Sequence, residues 1–172
     1  IADRPTAGVG DDEGSVVVAA PRSDLAGVTD PLAFAGAVAD VVLSFGPEED
    51  PARADVVLAV AALPPIGAPQ ELAADLDRLA PAPALVSSGA TVEFAPDLVA
   101  PSAWAAPRMD QLRLPLGSFA IDVTGTQIVT VPGHDPVSIS VTIGVTGACP
   151  PALPQCEIDR IFPRTVAQEL GS

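Results

Sequence analysis

One stretch of ten residues constrains the fold of this chain more than any other. From Val137 to Thr146 the sequence alternates strictly between apolar residues and small or polar ones. Successive side chains of a β-strand point to opposite faces of a sheet, so this alternation predicts a strand with one buried and one solvent-facing side. The side chains expected on the buried side are those of Val137, Ile139, Val141, Ile143 and Val145.

Alternating segments before this stretch predict a second strand. Residues 119–124 alternate, and Gly125 then suggests a bulge or tight turn before the pattern resumes over 127–131. The segment 132–136 reads Pro-Gly-His-Asp-Pro, which is the composition of a loop between two hairpin strands. We therefore expect an antiparallel pair joined by this loop.

Two further segments are weaker strand candidates. Residues 91–99 are typical of a strand, but Pro96 is expected to break it because proline offers no amide hydrogen. Residues 157–162 have a mixed pattern and predict a short final strand. Its faces are expected to carry Asp159 and Ile161 on one side, and Ile158, Arg160 and Phe162 on the other.

The first half of the chain predicts helices. Asp30 can cap a helix that begins at Pro31, because a carboxylate accepts hydrogen bonds from free amides and proline at the first position loses none. Gly46 and Pro47 end this helix. Its apolar stripe comprises Phe34, Val38, Val41, Val42 and Phe45.

Two more helices are predicted by the same signals. Asp50 and Pro51 start one that ends before Pro64-Pro65, with Val56, Val57, Val60 and Leu63 on its apolar face. Pro69 starts another, with Leu72, Leu76 and Leu79 on its face, and Pro81 and Pro83 close it.

Helices followed by an antiparallel meander predict an α+β fold, with N-terminal helices packed on one face of a curved antiparallel sheet. We expect a single domain over residues 29–164. Residues 1–28 are rich in Gly, Asp, Pro and Ala and predict an extended linker or lead-in, and residues 165–172 predict a C-terminal tail.

The charge of the chain excludes some partners. The formal net charge is −14, which disfavours nucleic acid and anionic lipid because both require cationic contacts. No run of about 18 apolar residues is present. Since the chain begins at Ile1, we expect contact with a membrane only through an upstream anchor that this chain lacks.

Cys149 and Cys156 lie between the last two predicted strands. A disulfide there would close a short loop, and free thiols are the alternative. Four-ligand zinc is disfavoured, because the chain has two cysteines and one histidine. Redox catalysis is disfavoured because the nearby Glu157 and Asp159 oppose a thiolate. A disulfide implies an oxidising compartment outside the cytoplasm.

Candidate catalytic residues are few, and no cofactor or metal is predicted. His134, the sole histidine, is beside Asp135 in a loop, but no nucleophile can be placed next to it, so a surface histidine is favoured. Asp122 lies on the strand face opposite Phe119 and could line a pocket of a cone-shaped sheet, although a solvent-facing role is favoured. The acidic group Glu48-Glu49-Asp50 is interpreted as a solvated loop rather than a calcium site.

The order of elements resembles the NTF2-like α+β cone fold. Three segments also resemble extracytoplasmic domains of actinobacterial conjugation and type IV secretion scaffold proteins. These are Asp30-Pro31-Leu32-Ala33-Phe34-Ala35, Leu72-Ala73-Ala74-Asp75-Leu76 and Val99-Ala100-Pro101-Ser102-Ala103-Trp104-Ala105, with Cys149-Pro150-Pro151 and Cys156 as a last landmark.

The resemblance implies a membrane-anchored protein with an NTF2-like domain outside the cytoplasm, and it includes no catalytic residues. We therefore expect a non-enzymatic scaffold or interaction domain that binds protein partners or associates with itself. The alternative is a small-molecule binder, or an isomerase- or dehydratase-like enzyme, that uses the concave face of the sheet through Asp122 or His134.

Overall fold

The strand predicted from Val137 onwards lies inside a four-stranded antiparallel sheet. The structure is a computed structural model that describes residues 25–46, 53–103 and 114–164. Its fold is α+β, as the sequence predicts. Within the described residues the helices are α1 (Pro31–Leu43), α2 (Arg53–Leu58), α3 (Pro69–Leu79) and α4 (Pro83–Ser87), and the strands are β1 (Thr91–Pro101), β2 (Ser118–Thr130), β3 (Val137–Ala148) and β4 (Glu157–Arg164).

The sheet is a simple meander in the order β1-β2-β3-β4, and it does not close into a barrel. Helix α1 packs mainly against β1 and β2, and α3 packs against β4. We call the helix-covered side the inner face and the other side the outer face. On the inner face, Phe34 of α1 meets Phe119 of β2 edge to face, with ring centroids 6.1 Å apart.

The alternation of β3 is confirmed, but only half of its apolar side is buried. Ile143 and Val145 are fully buried on the inner face. Val137 and Ile139, on the same face, are 56% and 45% exposed. Strand β3 therefore extends beyond the layer of helices that covers its other end.

The interruption predicted at Gly125 is wrong in its position. Strand β2 runs without a break through Gly125, and the irregularity lies opposite it in β1, between Pro96 and Leu98. Proline cannot continue the hydrogen-bond ladder, so the extra residue of the bulge lies next to Pro96. A Cβ on Gly125 would meet the Ala95 carbonyl and the Phe94 ring, so glycine lets β1 approach closely.

The break predicted at Pro96 is likewise absent, because β1 continues through the bulge to Pro101. The predicted faces of β4 are also wrong. The β3–β4 register shifts between Thr146 and Gly147, which leaves Asp159 as an extra residue. Ile158 and Ile161 are both buried as a result, although they are an odd number of positions apart.

Helix α1 begins as predicted. Asp30 Oδ2 accepts a hydrogen bond from the Ala33 amide at 2.8 Å, and Pro31 is the first helical residue. The helix ends at Leu43, earlier than the predicted stop at Gly46. Phe45 instead forms an antiparallel bridge with Val92 of β1, so it is buried beside the sheet rather than on the helix.

Helix α2 is shorter than predicted, and its predicted start at Asp50-Pro51 lies outside the described residues, as does the acidic group 48–50. It ends at Leu58, so Val60 and Leu63 are not helical. The chain leaves the helix there because its backbone hydrogen-bonds to the edge of β4. The Ile158 amide donates to the Val60 carbonyl at 2.9 Å.

Helix α3 is confirmed from Pro69 to Leu79. The role predicted for Pro83 is wrong, because Pro83 is the first residue of the additional helix α4 rather than a closing signal for α3. A proline can end one helix or begin the next, and the residues before it do not distinguish these two roles.

Residues 25–28, at the end of the predicted lead-in, pack on the domain. Leu25 is 2% exposed, the Val28 carbonyl accepts from the Cys156 amide at 2.7 Å, and the Gly27 amide donates to Gln155. The remainder of the predicted lead-in and the predicted tail over 165–172 lie outside the described residues.

Candidate functional site

The helix layer is open at one end of the sheet. Helix α1 ends at Leu43, whereas the β2–β3 hairpin continues to its loop at 131–136. The short helix α4 lies near this hairpin: Leu85 packs with Val129 and Val131 around the cluster that contains Phe45 and Val92. Inner-face side chains at the hairpin end are consequently only partly covered.

Two adjoining grooves lie at this open end. The first, of about 420 Å³, runs between the ends of α1 and α3 and helix α4, and it is lined by apolar residues such as Val42, Leu76 and Val86. The second, of about 210 Å³, runs between the end of α1 and the sheet, beside Phe45 and Ile139. The two grooves share Val42, Arg53, Leu79 and Pro81 in their linings.

The polar groups in these grooves bind the end of α1. Arg53 Nη1 donates to the Ser44 carbonyl at 2.6 Å, and its guanidinium lies 5.4 Å from the centroid of the Phe45 ring. Gln127 Nε2 donates to the Leu43 carbonyl at 2.7 Å. Carbonyls at a helix C-terminus lack partners inside the helix and carry partial negative charge, so both side chains stabilise α1.

Arg53 and Asp77 are the charged residues in the groove linings, and two described segments beside the grooves carry little further charge. We call these two segments the apolar pole and define it as residues 80–92, which include α4, together with 128–140, the hairpin end. Residues 80–92 contain no charged side chain, and residues 128–140 contain only Asp135, besides His134. Exposed aliphatic side chains of the pole are Val86, Val137 and Ile139, together with Ile128 on the outer face of the sheet, where it pairs with Ser138.

Asp122 lies away from this pole, on the outer face of β2. Its carboxylate accepts from Arg164 Nη1 of β4, with the nearest N···O distance 3.0 Å, and both side chains are largely buried. Arg164 Nη1 also lies 3.4 Å from the Ser102 hydroxyl. The depression beside this pair has a volume of about 10 Å³, which is the space of roughly one water molecule.

His134 lies at the tip of the β2–β3 hairpin, where it is exposed. Its Nδ1 is 3.2 Å from the Pro132 carbonyl. The structure does not bring His134 and Asp122 together, since one lies in the loop and the other in the middle of β2. Their predicted roles in a pocket stay predictions.

The predicted disulfide is confirmed. Cys149 and Cys156 are bonded to each other and belong to the main hydrophobic core, with both residues almost fully buried. The Cys149 amide donates to the Gly117 carbonyl at 2.9 Å, which ties the loop between β3 and β4 to the start of β2. The disulfide is consistent with a location outside the cytoplasm.

Sequence reasoning missed a buried carboxylate on α3. Asp75 has no exposed side-chain surface, and its oxygens accept from Arg160 Nε at 2.6 Å and from the Ile161 amide at 3.1 Å. Arg160 also pairs with Glu71, and Arg78 pairs with Asp75. The sequence does contain a signal that this carboxylate is buried. Asp75 occupies a position of the apolar stripe formed by Leu72, Leu76 and Leu79.

These contacts change the titration of two carboxyl groups. Burial alone would raise the pKa of Asp75, but the hydrogen bonds from Arg160, the Ile161 amide and Arg78 outweigh it and hold the pKa below its ordinary value of 3.8. Burial, with Glu71 and Asp75 nearby, raises the pKa of Asp159 despite the neighbouring Arg160. The arrangement fixes α3 to the edge of β4.

Both edges of the sheet are largely closed to further strands. Along β4, the Ile158 amide donates to Val60, the Ile161 amide donates to Asp75, and Pro163 has no amide hydrogen. Along β1, the Val92 amide donates to the Phe45 carbonyl at 2.8 Å, and the Phe94 amide donates to the Ser44 hydroxyl at 3.0 Å. Pro96 and Pro101 interrupt the remainder of that edge.

Among residues 25–46, 53–103 and 114–164, no group of three or more His, Cys, Asp or Glu side chains is arranged to hold a metal ion. No helix in these ranges is long and apolar enough to cross a membrane.

Comparison with protein-family models, with curated proteins and with solved structures gave no match to this chain.

Proposed function

We propose that this chain is a non-enzymatic, extracytoplasmic interaction domain of NTF2-like type, which docks proteins through its apolar pole. The observation that carries the proposal is the pole itself: exposed aliphatic side chains on two segments that together contain one formally charged residue, in a chain whose net charge is −14. Exposed aliphatic side chains grouped at one end of a domain are typical of an interaction site.

The contacts of the candidate catalytic residues support the same proposal. The Asp122 carboxylate is paired with Arg164, and the His134 ring lies in an exposed loop. An acid or base that acts on a substrate needs a position from which it can reach the reacting atoms. The apolar pole, by contrast, combines exposure with grooves that can receive side chains.

A membrane-anchored conjugation or type IV secretion apparatus is the setting we propose. The resemblance of segments near Asp30, Leu72 and Cys149 to the scaffold proteins of such systems supports it. The order of helices and strands is compatible with an NTF2-like fold, and the Cys149–Cys156 disulfide is consistent with an oxidising compartment.

Site-specific photo-crosslinking in cells tests the proposal. A photoreactive amino acid replaces Val137 on the pole or, as the matched control, Leu63, which is 68% exposed between α2 and α3. We expect adducts with proteins of the transfer apparatus, or with further copies of this chain, from position 137 and not from position 63. The absence of protein adducts at position 137, or equal yields at both positions, would contradict the proposal.

The grooves support one alternative function, the binding of a small apolar molecule. The larger groove, at about 420 Å³, falls within the range of about 300–1,000 Å³ that is typical of ligand pockets. Titration with the fluorescent probe anilinonaphthalene sulfonate tests it. Saturable binding that Ile139→Trp abolishes would favour a ligand pocket, because Ile139 lines the second groove. Binding that is unchanged by this substitution would argue against it.

A further inference from the structure

We infer that the edge of β3 beyond the end of β4 binds an extended segment of a partner protein, which pairs with it as an additional antiparallel strand. The inference deepens the proposed function, on which it rests, because Ser138 and Ser140 of this edge belong to the apolar pole. It names the form of the partner: a strand with large apolar side chains at alternate positions and no acidic residue.

Strand β3 extends past its neighbour β4 at this end of the sheet. The pairing of β3 with β4 ends at Thr142 and Arg164, whereas its pairing with β2 continues to Val137. No described residue therefore pairs with residues 137–141 on the side of β4. Ser138 and Ser140 are both exposed.

The backbone groups of Ser138 and Ser140 point to this uncovered side. In an antiparallel sheet, consecutive residues of a strand direct their amide and carbonyl groups to opposite neighbours. The Ile161 amide points away from β3, so the backbone groups of the next residue, Phe162, point to its partner Gly144 in β3. Gly144 therefore faces β4, and the alternation along β3 gives Ser140 and Ser138 the same direction.

The opposite edge of the sheet leads to the same direction. The Phe94 amide of β1 points away from β2, so the backbone groups of its partner Gln127 point to Ile139 of β3. Ile139 thus pairs with β2, and its neighbours Ser138 and Ser140 face the other way. A row of amides and carbonyls at this spacing is complementary to the backbone of another strand.

The inner-face side chains of β3 favour apolar residues in the added strand. Val137 and Ile139 are exposed on that face, and Ile139 lines the groove of about 210 Å³. Side chains directly opposite each other on neighbouring strands lie about 4.5–5.5 Å apart. A large apolar side chain opposite Ile139 would therefore cover it and lie at the rim of the groove.

The sequence that follows β4 lacks this pattern. At every second position after the buried Ile161, the sequence continues with Pro163, Thr165, Ala167 and Glu169, none of which is a large apolar residue. We therefore assign the edge to a segment of another protein. A chain of net charge −14 repels acidic segments and further copies of itself, so the partner segment is neutral or basic.

Amide hydrogen exchange of the full chain, followed by NMR, tests whether this edge is uncovered. We expect the amides of Ser138 and Ser140 to exchange about tenfold faster than those of Ile139 and Val141, which pair with β2. Equally slow exchange at all these positions would overturn the inference, because residues 165–172 or a second copy would then already occupy the edge.

A synthetic peptide of alternating valine and threonine with a C-terminal arginine is the probe of binding. It should slow the exchange of the Ser138 and Ser140 amides, and its valines should lie on the inner face opposite Ile139. Methylating the threonine amides, which then face β3, should weaken binding about tenfold or more, because the hydrogen bonds to β3 are lost. Methylating the valine amides, which point away from β3, is the matched control and should leave binding unchanged.

Ser140→Pro tests the same contact from the chain itself, because it removes an amide that does not pair with β2. It should weaken peptide binding about tenfold or more, whereas Ser140→Ala, which keeps the amide, should bind like the wild type. Ser138→Pro is the second variant if circular dichroism shows that Ser140→Pro does not fold. No binding to the wild-type chain at about 1 mM peptide, or binding that neither proline nor methylation weakens, would overturn the inference.

The failure of this inference and that of the proposed function are distinguishable. Protein adducts from position 137 without peptide binding would refute the added strand and keep the docking function. Peptide binding at Ser138 and Ser140 without adducts in cells would keep the strand-accepting edge and refute the docking function. The absence of both would refute both.

Discussion

Asp75 links helix α3 to strand β4. It is fully buried, and it joins the helix to β4 through the Arg160 side chain and the Ile161 amide. A buried carboxylate is stable only when such donors compensate for the lost water. Asp75 therefore holds α3 against β4 together with the buried apolar residues Leu72 and Leu76.

Asp75→Asn should lower the free energy of unfolding by roughly 2–4 kcal/mol at pH 7, because Arg160 and Arg78 lose their anionic partner. The pKa of Asp75 is lowered in the fold, so its stabilisation is complete above the pKa of the unfolded chain and is lost as the pH falls through the folded value. Urea unfolding at pH 7 and at pH 3 measures both. A deficit of the same size at the two pH values would contradict the assignment.

Asp159→Asn should change the free energy of unfolding in the opposite direction to Asp75→Asn. The pKa of Asp159 is raised by burial and by the nearby carboxylates Glu71 and Asp75, so its charged form is disfavoured in the fold. The substitution should raise the free energy of unfolding slightly at pH 7, because solvent screens this partly exposed group, and the gain should vanish at low pH, where Asp159 is protonated. Urea unfolding at pH 7 and at pH 3 measures this difference in the free energy of unfolding. A loss of stability at pH 7 would contradict the raised pKa of Asp159.

Local sequence signals predict the role of a residue when its hydrogen-bond partner is close to it in the sequence. Asp30 caps α1 because its carboxylate reaches the Ala33 amide three positions later, which needs no knowledge of the remaining fold. Asp75 acts on Arg160, 85 positions away along the chain. That distance explains why the stripe position of Asp75 signalled a buried residue without revealing its partner.

At the scale of elements, the disulfide stabilises the connection between β3 and β4. Replacing Cys149 and Cys156 by alanine should lower the free energy of unfolding by about 2.5 kcal/mol, the loop-closure contribution expected for a loop of this length. Urea unfolding of the variant and of the oxidised wild type measures the difference.

The state of the same two cysteines can be checked independently. Intact mass after alkylation, with and without reduction, should show both thiols protected until the protein is reduced. Free alkylation of protein made under oxidising conditions would contradict the bonded pair and remove the main physical support for a location outside the cytoplasm.

Elements with a regular period were predictable, and their irregularities were not. The period of β3 and the starts of α1 and α3 follow from residues within each segment. The bulges in β1 and β4 depend on the register of the partner strand, which no local pattern encodes. Gly125 marks this limit: it signalled an irregularity, but the irregularity lies in the strand opposite it.

At the scale of the whole molecule, charge is unevenly distributed along the chain. From Val123 to Cys156 the sequence carries one formal charge, at Asp135, although the chain as a whole has 22 acidic residues. The sequence shows this contrast directly. That α4 and the β2–β3 hairpin lie side by side follows only from the fold, so the pole was not predictable.

The closed sheet edges have a consequence for how far assembly can proceed. A sheet with two free edges has two attachment points for its own kind and can grow without limit. In this molecule Asp75, Phe45 and the prolines of β1 and β4 occupy those points. With these points taken, the described part of the chain offers little free edge to which a strand from a further copy could be added.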